Sequence, residues 1–271
     1  MFKSLPSAVV VIGLFAVVNM LERVAVQAQA QLDLPQYLAN SHAHNDYEHP
    51  RPLIDSLSLG FASIEADVWL VDGEFCVAHD RAKIDPTRRL DNLYLDPLLQ
   101  RFMHNDGKLY ATSETLILLV DIKSEAEATY RALHQLLTKY RVMLEAADGK
   151  TDPAMRVIVS GNRAVDLIRV DKDRLVCVDG RLKDLQAKVD PLLIPLISDN
   201  YRLHFRYVGV GEMSSEERAK LRDYVAKVHQ SGARLRFWGT PENESLWRVL
   251  REEKVDFIGT DQLKQLADFL R

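Results

Sequence analysis

Cysteine is scarce in this chain of 271 residues: only Cys76 and Cys177 are present, and nothing in their spacing demands a disulfide bond. An excess of either charge is also missing, because acidic and basic residues are interspersed and the formal net charge is only −4. This balance excludes nucleic acid as an expected partner. The remaining composition, 47% hydrophobic and 27% charged, is that of a globular protein with enough apolar content for one sizeable core.

The first thirty residues differ from the rest of the chain. Lys3 precedes an uncharged apolar run from Ala8 to Met20, which is too short for a confident membrane span. Ala28-Gln29-Ala30 has the small-x-small arrangement that precedes signal-peptidase cleavage. We interpret residues 1–30 as a secretory signal peptide with Gln31 as the first mature residue, and we expect a secreted or periplasmic protein. Mass spectrometry of the exported protein would check this N-terminus.

An uncleaved signal anchor is the alternative, because Glu22 and Arg23 lie between the apolar run and the predicted cleavage site. No cysteine follows that run, which argues against a lipid-anchored lipoprotein. We expect residues 31–271 to form a single domain and to be monomeric.

The mature chain alternates predicted strands with predicted helices, which indicates a mostly parallel sheet. Its length is close to the roughly 250 residues that are typical of an eight-stranded barrel. The fold predicted is therefore a (β/α)8 TIM barrel. The first strand should end near Ser41, and the others are predicted at residues 61–71, 115–123, 156–161, 175–179, 193–199, 235–238 and 255–261.

Active sites of such barrels lie at the carboxyl ends of the strands. The notable polar residues of this chain fall at those ends. They are His42, His44, Glu65, Asp67, Asp121, Lys123, Ser160, Asp179, Asp199, Trp238 and Asp261. This coincidence of position predicts one site at that end of the barrel.

The second strand places Glu65 and Asp67 on one face, because side chains alternate along a strand. Asp72-Gly73 predicts a tight hairpin whose return arm carries His79 back towards the two carboxylates. A regular two-residue turn would pair His79 with Ala66 on the apolar face, so we expect a bulge or a longer loop that shifts the register by one. The alternative is an edge hairpin with solvated acids and a surface histidine.

Asp121 and Lys123 repeat this alternation on the third strand. Together with Glu65 and Asp67, Asp121 would make an all-oxygen site that suits one Mg²⁺ or Ca²⁺ ion rather than zinc. A lysine beside such a site suits a phosphate, because the metal polarises one phosphoryl oxygen and the ammonium neutralises another. Taken alone, Asp121 and Lys123 are equally consistent with a salt bridge at a strand end.

These residues resemble the superfamily of glycerophosphodiester phosphodiesterases and phosphatidylinositol-specific phospholipases C. In that superfamily Glu-x-Asp ends strand two and a His-Asp pair follows, as His79-Asp80 does here. An acidic residue two positions before a lysine ends strand three, and Thr-Asp ends the last strand, as Thr260-Asp261 does here. The resemblance covers the mature chain and implies metal-dependent hydrolysis of a phosphodiester by two histidines.

The run His42-Ala43-His44-Asn45-Asp46-Tyr47 followed by Arg51-Pro52-Leu53 is similar to the subfamily named after altered inheritance of mitochondria protein 6. Glycerophosphodiesterases have His-Arg-Gly after strand one, whereas the phospholipases C have His-Asn with the asparagine on the metal. This resemblance implies that His44 and His79 are the general acid and base, aided by Lys123, and that Asn45 is a fourth metal ligand. We expect His42 and Trp238 to contact substrate.

The expected partner is a glycerophosphodiester, a phosphoinositide or a related lipid-derived phosphodiester, with at most a transient contact with a membrane surface. A non-catalytic barrel that binds phosphate esters is the alternative. An amidohydrolase would also place His-x-His after strand one, but it needs histidines at the ends of strands five and six, where this chain has Asp179 and Asp199.

Overall fold

The protein forms a closed barrel of eight parallel strands with helices between them, which confirms the predicted (β/α)8 single domain. The structure, a computed structural model, describes residues 34–144 and 153–271. The parallel strands are β1 (Leu38–Ala43), β2 (Phe61–Val71), β4 (Leu116–Ile122), β5 (Met155–Gly161), β6 (Cys177–Gly180), β7 (Leu196–Asn200), β8 (Arg234–Trp238) and β9 (Phe257–Thr260). Pairing of β1 with both β2 and β9 closes the barrel. A ninth strand, β3 (Glu74–Val77), pairs with β2 in an antiparallel hairpin.

Helices surround the barrel at Ile54–Ser58, Asp96–His104, Ala126–Thr138, Val165–Val170, Tyr201–His204, Ser215–Gln230, Glu244–Glu252 and Leu263–Leu270. Ser214 begins the longest of them by accepting a hydrogen bond from the backbone N–H of Glu217, as an N-cap residue should. Across residues 34–144 and 153–271, no helix has the length and apolar character that a membrane crossing requires. The predicted signal peptide lies outside the described residues and stays a prediction.

Side-chain alternation divides the barrel interior into an apolar and a polar half. Inward-facing side chains near the amino ends of the strands form a small apolar cluster that consists of Ala62, Ile117, Leu119, Ile158, Cys177, Leu196 and Phe257. Two residues after Leu119, Ile158, Cys177 and Leu196, the inward positions of the same four strands carry Asp121, Ser160, Asp179 and Ser198. The apolar half thus supports a polar site at the carboxyl ends of the strands.

The predicted register shift in the β2–β3 hairpin is wrong. Asp72 and Gly73 both have positive φ angles, 50° and 86°, and they form a two-residue turn of the kind that suits a regular hairpin. The pairing is uninterrupted from Val71 opposite Glu74 to Val68 opposite Val77. Beyond Val77 the strand ends and the chain bends at His79, so the alternation of the ladder no longer dictates where that imidazole points.

Candidate active site

A cavity of about 500 Å³ opens at the carboxyl ends of the strands. Its wall includes every residue to which the sequence analysis assigned a catalytic, metal-binding or substrate-binding role, except His42. The predicted residues that line it are His44, Asn45, Glu65, Asp67, His79, Asp121, Lys123 and Trp238. The fold therefore brings together residues from the first, second, third and seventh parallel strands and from the β3 arm.

Three carboxylates converge in this cavity, one each from Glu65, Asp67 and Asp121. One oxygen of each lies within 4.8 Å of the others, and Asp67 and Asp121 sit directly opposite each other on the paired strands β2 and β4. Asp67 is buried, and its Oδ1 atom has no hydrogen-bond partner among the described residues. A buried carboxylate oxygen without a partner is costly, so this donor set fits a hard divalent cation.

Lys123 lies against two of these carboxylates. Its Nζ atom is 3.0 Å from Asp67 Oδ2 and 3.3 Å from Asp121 Oδ1. Burial raises the pKa of Asp121 to about 6, although the lysine opposes this shift. Burial alone would lower the pKa of Lys123, but the charges of Asp121 and Asp67 outweigh it and the pKa is raised. The lysine is therefore a fixed cation at the edge of the acidic cluster.

His44 and His79 are each oriented by a carboxylate. Nδ1 of His79 lies 2.8 Å from Asp67 Oδ2, and Nδ1 of His44 lies 2.8 Å from Asp261 Oδ1. Within residues 34–144 and 153–271, neither Nε2 atom makes a hydrogen bond. A histidine held through Nδ1 presents Nε2 in a fixed direction, which is the arrangement that proton transfer requires.

Burial alone would lower the pKa of His44, but the hydrogen bond to Asp261 and the charge of Glu65 outweigh that effect and raise it. The protonated form of His44 is thereby favoured. Asp261 follows directly after β9, where the sequence placed a strand-end acid.

His42 does not line the cavity, so its predicted contact with substrate is wrong. Its ring is fully buried beneath the site, with Nε2 2.9 Å from Glu65 Oε2 and Nδ1 2.8 Å from Ser63 Oγ. Burial and the charge of Arg236 lower the pKa of His42 to about 3. The neutral ring donates from Nε2 to the ionised Glu65 and accepts from Ser63, so His42 positions Glu65.

Arg236 is the principal residue that the sequence analysis missed. It faces inward from β8, it is 3% exposed, and its Nη2 atom donates to Glu65 Oε2 at 2.8 Å. Burial would raise the pKa of Glu65, but Arg236 and the hydrogen bond from His42 outweigh it and lower that pKa. A signal was present, since Trp238 was expected to contact substrate and Arg236 lies two residues before it, on the same face of the strand.

Tyr47 was also missed as a member of the site. Its buried hydroxyl lies 2.7 Å from Asp67 Oδ2 and 2.8 Å from Asn45 Oδ1. Burial and the charge of Asp67 raise the pKa of Tyr47 far above its ordinary value, so the hydroxyl stays protonated and can donate. The tyrosine thus holds Asp67, the carboxylate that also orients His79.

The buried carboxylate of Asp179 lies on the wall formed by β5 and β6. Asp179 Oδ2 accepts hydrogen bonds from Ser160 Oγ at 2.9 Å and from Arg181 Nη1 at 2.8 Å. Arg181 lines the cavity and adds a cation to it. Ser160 and Asp179 were predicted from the sequence as strand-end residues, whereas Arg181, which follows the strand, was missed.

Comparison with known proteins identifies the family of this chain. Residues 36–179 match the family described as the AIM6-like phosphodiesterase domain. Altered inheritance of mitochondria protein 6 of Eremothecium gossypii is 28% identical in a comparison that covers 89% of this chain and 72% of that protein. The protein of the same name from Kluyveromyces lactis is also 28% identical, over 86% of this chain and 72% of that one.

One solved structure supports the fold. The crystal structure of a glycerophosphodiester phosphodiesterase from Parabacteroides distasonis superposes with a TM-score of 0.53 at 17% sequence identity. The superposition covers 87% of this chain and 98% of the bacterial one. The barrel is therefore shared with a solved protein despite low sequence identity.

Proposed function

Because this chain belongs to the family of AIM6-like phosphodiesterase domains, we propose that it is a metal-dependent phosphoric diester hydrolase. The observation that supports this most strongly is that His44 and His79, each held by a carboxylate, line the same cavity as the acidic cluster. A phosphodiester bound between the two imidazoles would have a proton acceptor on one side and a proton donor on the other.

Glu65, Asp67 and Asp121 would hold the cation, with Asn45 as the fourth ligand that the family resemblance implies. Oxygen ligands of this kind suit Mg²⁺ or Ca²⁺. When bound, the ion would polarise a phosphoryl oxygen. One oxygen of Glu65, Oε2, accepts hydrogen bonds from His42 and Arg236, and these two bonds fix the orientation of the carboxylate.

The residues of the chain then have distinct tasks. Nε2 of His79 takes the proton from an attacking hydroxyl of the substrate as its oxygen bonds to phosphorus. The bond from phosphorus to the leaving alcohol breaks, and His44 gives that alcohol its proton, a role that fits its raised pKa. Lys123 stabilises the negative charge that builds on the phosphoryl oxygens. A cyclic phosphate formed in this way would be opened by water with the roles of the histidines reversed.

The substrate class we propose is a glycerophosphodiester, a phosphoinositide or a related lipid-derived phosphodiester, with Trp238 in contact with it at the mouth of the cavity. The test is a screen of the purified protein with Mg²⁺ or Ca²⁺ against glycerophosphodiesters, phosphatidylinositol, lysophospholipids and a chromogenic phosphodiester. We expect turnover that is lost on chelation and in Asp67→Asn, and retained in Asp166→Asn, which changes an exposed acid. A protein that binds these esters but cleaves none would be a non-catalytic barrel.

Asp261→Asn is expected to lower the pKa of His44, because the variant removes the carboxylate that bonds Nδ1. With His44 as the acid, activity is present below its pKa and is lost as pH rises through it. The alkaline limb of the pH profile of kcat/KM should therefore move to lower pH in the variant. The profile is measured with the substrate that the screen identifies.

Asp268→Asn is the matched control, since the side chains of Asp261 and Asp268 are 52% and 55% exposed and only the first contacts a site histidine. A shift of the acidic limb alone would assign His44 as the base instead. An unchanged pH profile would show that His44 takes no part in proton transfer.

A further inference from the structure

The segment of residues 201–213, here called the rim segment, connects β7 to the helix Ser215–Gln230 at the carboxyl ends of the strands. It exposes large aliphatic side chains where a loop would ordinarily be polar. Leu203, Val208 and Val210 are 74%, 52% and 81% exposed. Clustered exposed apolar side chains mark a surface that binds another molecule or a membrane.

The outward direction of these side chains is fixed by the inward packing of their neighbours. Tyr201, Phe205 and Tyr207 of the rim segment are buried. The ring of Phe205 packs 5.0 Å from that of Tyr201 and 5.5 Å from that of Phe237, measured between ring centroids. The exposed residues are thus held on the opposite face of an anchored segment.

Hydrogen bonds hold the outer part of the rim segment in the same way. Asn243 Nδ2 donates to the carbonyl oxygen of Val208 at 3.0 Å, and the hydroxyl of Tyr207 donates to that of Gly211 at 3.2 Å. Gly209 packs so closely on Asn243 that a Cβ atom would overlap its side chain. The exposure of Val208 and Val210 is therefore built into the fold.

Two cations accompany the aliphatic residues. Arg202 and Arg206 are exposed, and neither forms a salt bridge with the acids of residues 34–144 and 153–271. Arg202 Nε donates to the carbonyl oxygen of Gly239, next to Trp238 at the mouth of the cavity, so the rim segment borders the active site. Aliphatic side chains with arginines between them match a surface that has an apolar interior and anionic head groups.

We propose that Arg202, Leu203, Arg206, Val208 and Val210 form a docking surface for an anionic lipid bilayer. The three aliphatic side chains would enter the acyl boundary, while the two guanidinium groups would bind lipid phosphates at the head-group level. Docked in this way, the cavity would face the bilayer from which a lipid-derived phosphodiester comes. That benefit rests on the proposed function, whereas docking itself requires no turnover.

Sedimentation with vesicles tests the proposal. The chain of residues 31–271 is mixed with vesicles of phosphatidylcholine alone or with vesicles in which one third of the lipid is phosphatidylglycerol. The fraction of protein bound is measured against lipid concentration. We expect the wild type to prefer the anionic vesicles. Val210→Asp should weaken binding to them about tenfold because it places a charge in the acyl boundary. Arg202→Gln and Arg206→Gln should each weaken it about fivefold.

Val170→Asp is the matched control, because Val170 is 72% exposed at the carboxyl end of its helix, the end of the barrel away from the cavity. Circular dichroism and thermal unfolding check that each variant is folded. The proposal is overturned if the wild type binds neither vesicle, if Val170→Asp loses as much binding as Val210→Asp, or if the arginine variants keep full binding. It is also overturned if the wild type self-associates and Val210→Asp is monomeric, since the surface would then join two copies of the chain.

Sedimentation separates this proposal from the proposed function. If the protein binds anionic vesicles but cleaves no phosphodiester, the docking surface is supported and the proposed hydrolase function is wrong. If the protein cleaves a soluble phosphodiester but binds no vesicle, the hydrolase function is supported and the docking surface is wrong.

Discussion

Replacing His79 with alanine is expected to lower turnover of a phosphodiester by about 10²–10⁴-fold, the usual contribution of a general acid or base. The imidazole lines the cavity, is oriented by Asp67 and has Nε2 available for a substrate proton. The side chain is 56% exposed and follows the end of β3, so its removal leaves no cavity in the core. The measurement is kcat with the substrate found in the screen, at fixed metal concentration.

His104→Ala provides the control, because His104 is an exposed histidine at the end of the helix Asp96–His104 and is not part of the cavity. It should retain full turnover. Unchanged turnover in His79→Ala would contradict the two-histidine mechanism. Loss of metal binding in His79→Ala would instead mean that the histidine serves to position Asp67 for the cation. The cation affinity of both variants is therefore measured by calorimetry.

Much of this site was predictable because parallel strands convert sequence spacing into geometry. Glu65, Asp67 and Asp121 were placed inward by alternation alone, and the pairing of Asp67 with Asp121 across β2 and β4 brings them together. The bounds of β2, Phe61–Val71, were predicted correctly, since turn-forming residues flank a long apolar run. Strand-end positions that depend on one local pattern can therefore be predicted from sequence.

The errors occur where side-chain direction depends on more than one strand. His42 and His44 have the same alternation, so sequence spacing could not show that one is fully buried against Glu65 while the other, beyond the end of β1, reaches Asp261. His79 was assigned by strand register, yet it lies just past the last ladder pair, where the chain bends. Contacts between residues far apart in sequence, such as Arg236 with Glu65, have no local signature.

Arg236→Met is expected to lower the free energy of unfolding by about 3–5 kcal/mol, the range observed when one partner of a buried ion pair is removed. Glu65 would remain buried without the guanidinium that neutralises it, and His42, being neutral, cannot replace that charge. Typical domains are stable by about 5–15 kcal/mol, so this is a large fraction of the total. Urea unfolding of the metal-free protein measures the change, and Arg169→Met, at an exposed helical arginine, should be nearly neutral.

A second substitution distinguishes a lost ion pair from lost packing. Glu65→Gln in the Arg236→Met background removes the unpaired charge, so the double variant should recover part of the stability that the single variant loses. If the double variant is less stable by the sum of the two single effects, the residues are not coupled and the loss belongs to the packing of the arginine stem. Recovery of stability without recovery of metal affinity would show that Glu65 serves both the buried pair and the cation, because a glutamine can fill the space but cannot supply the charge.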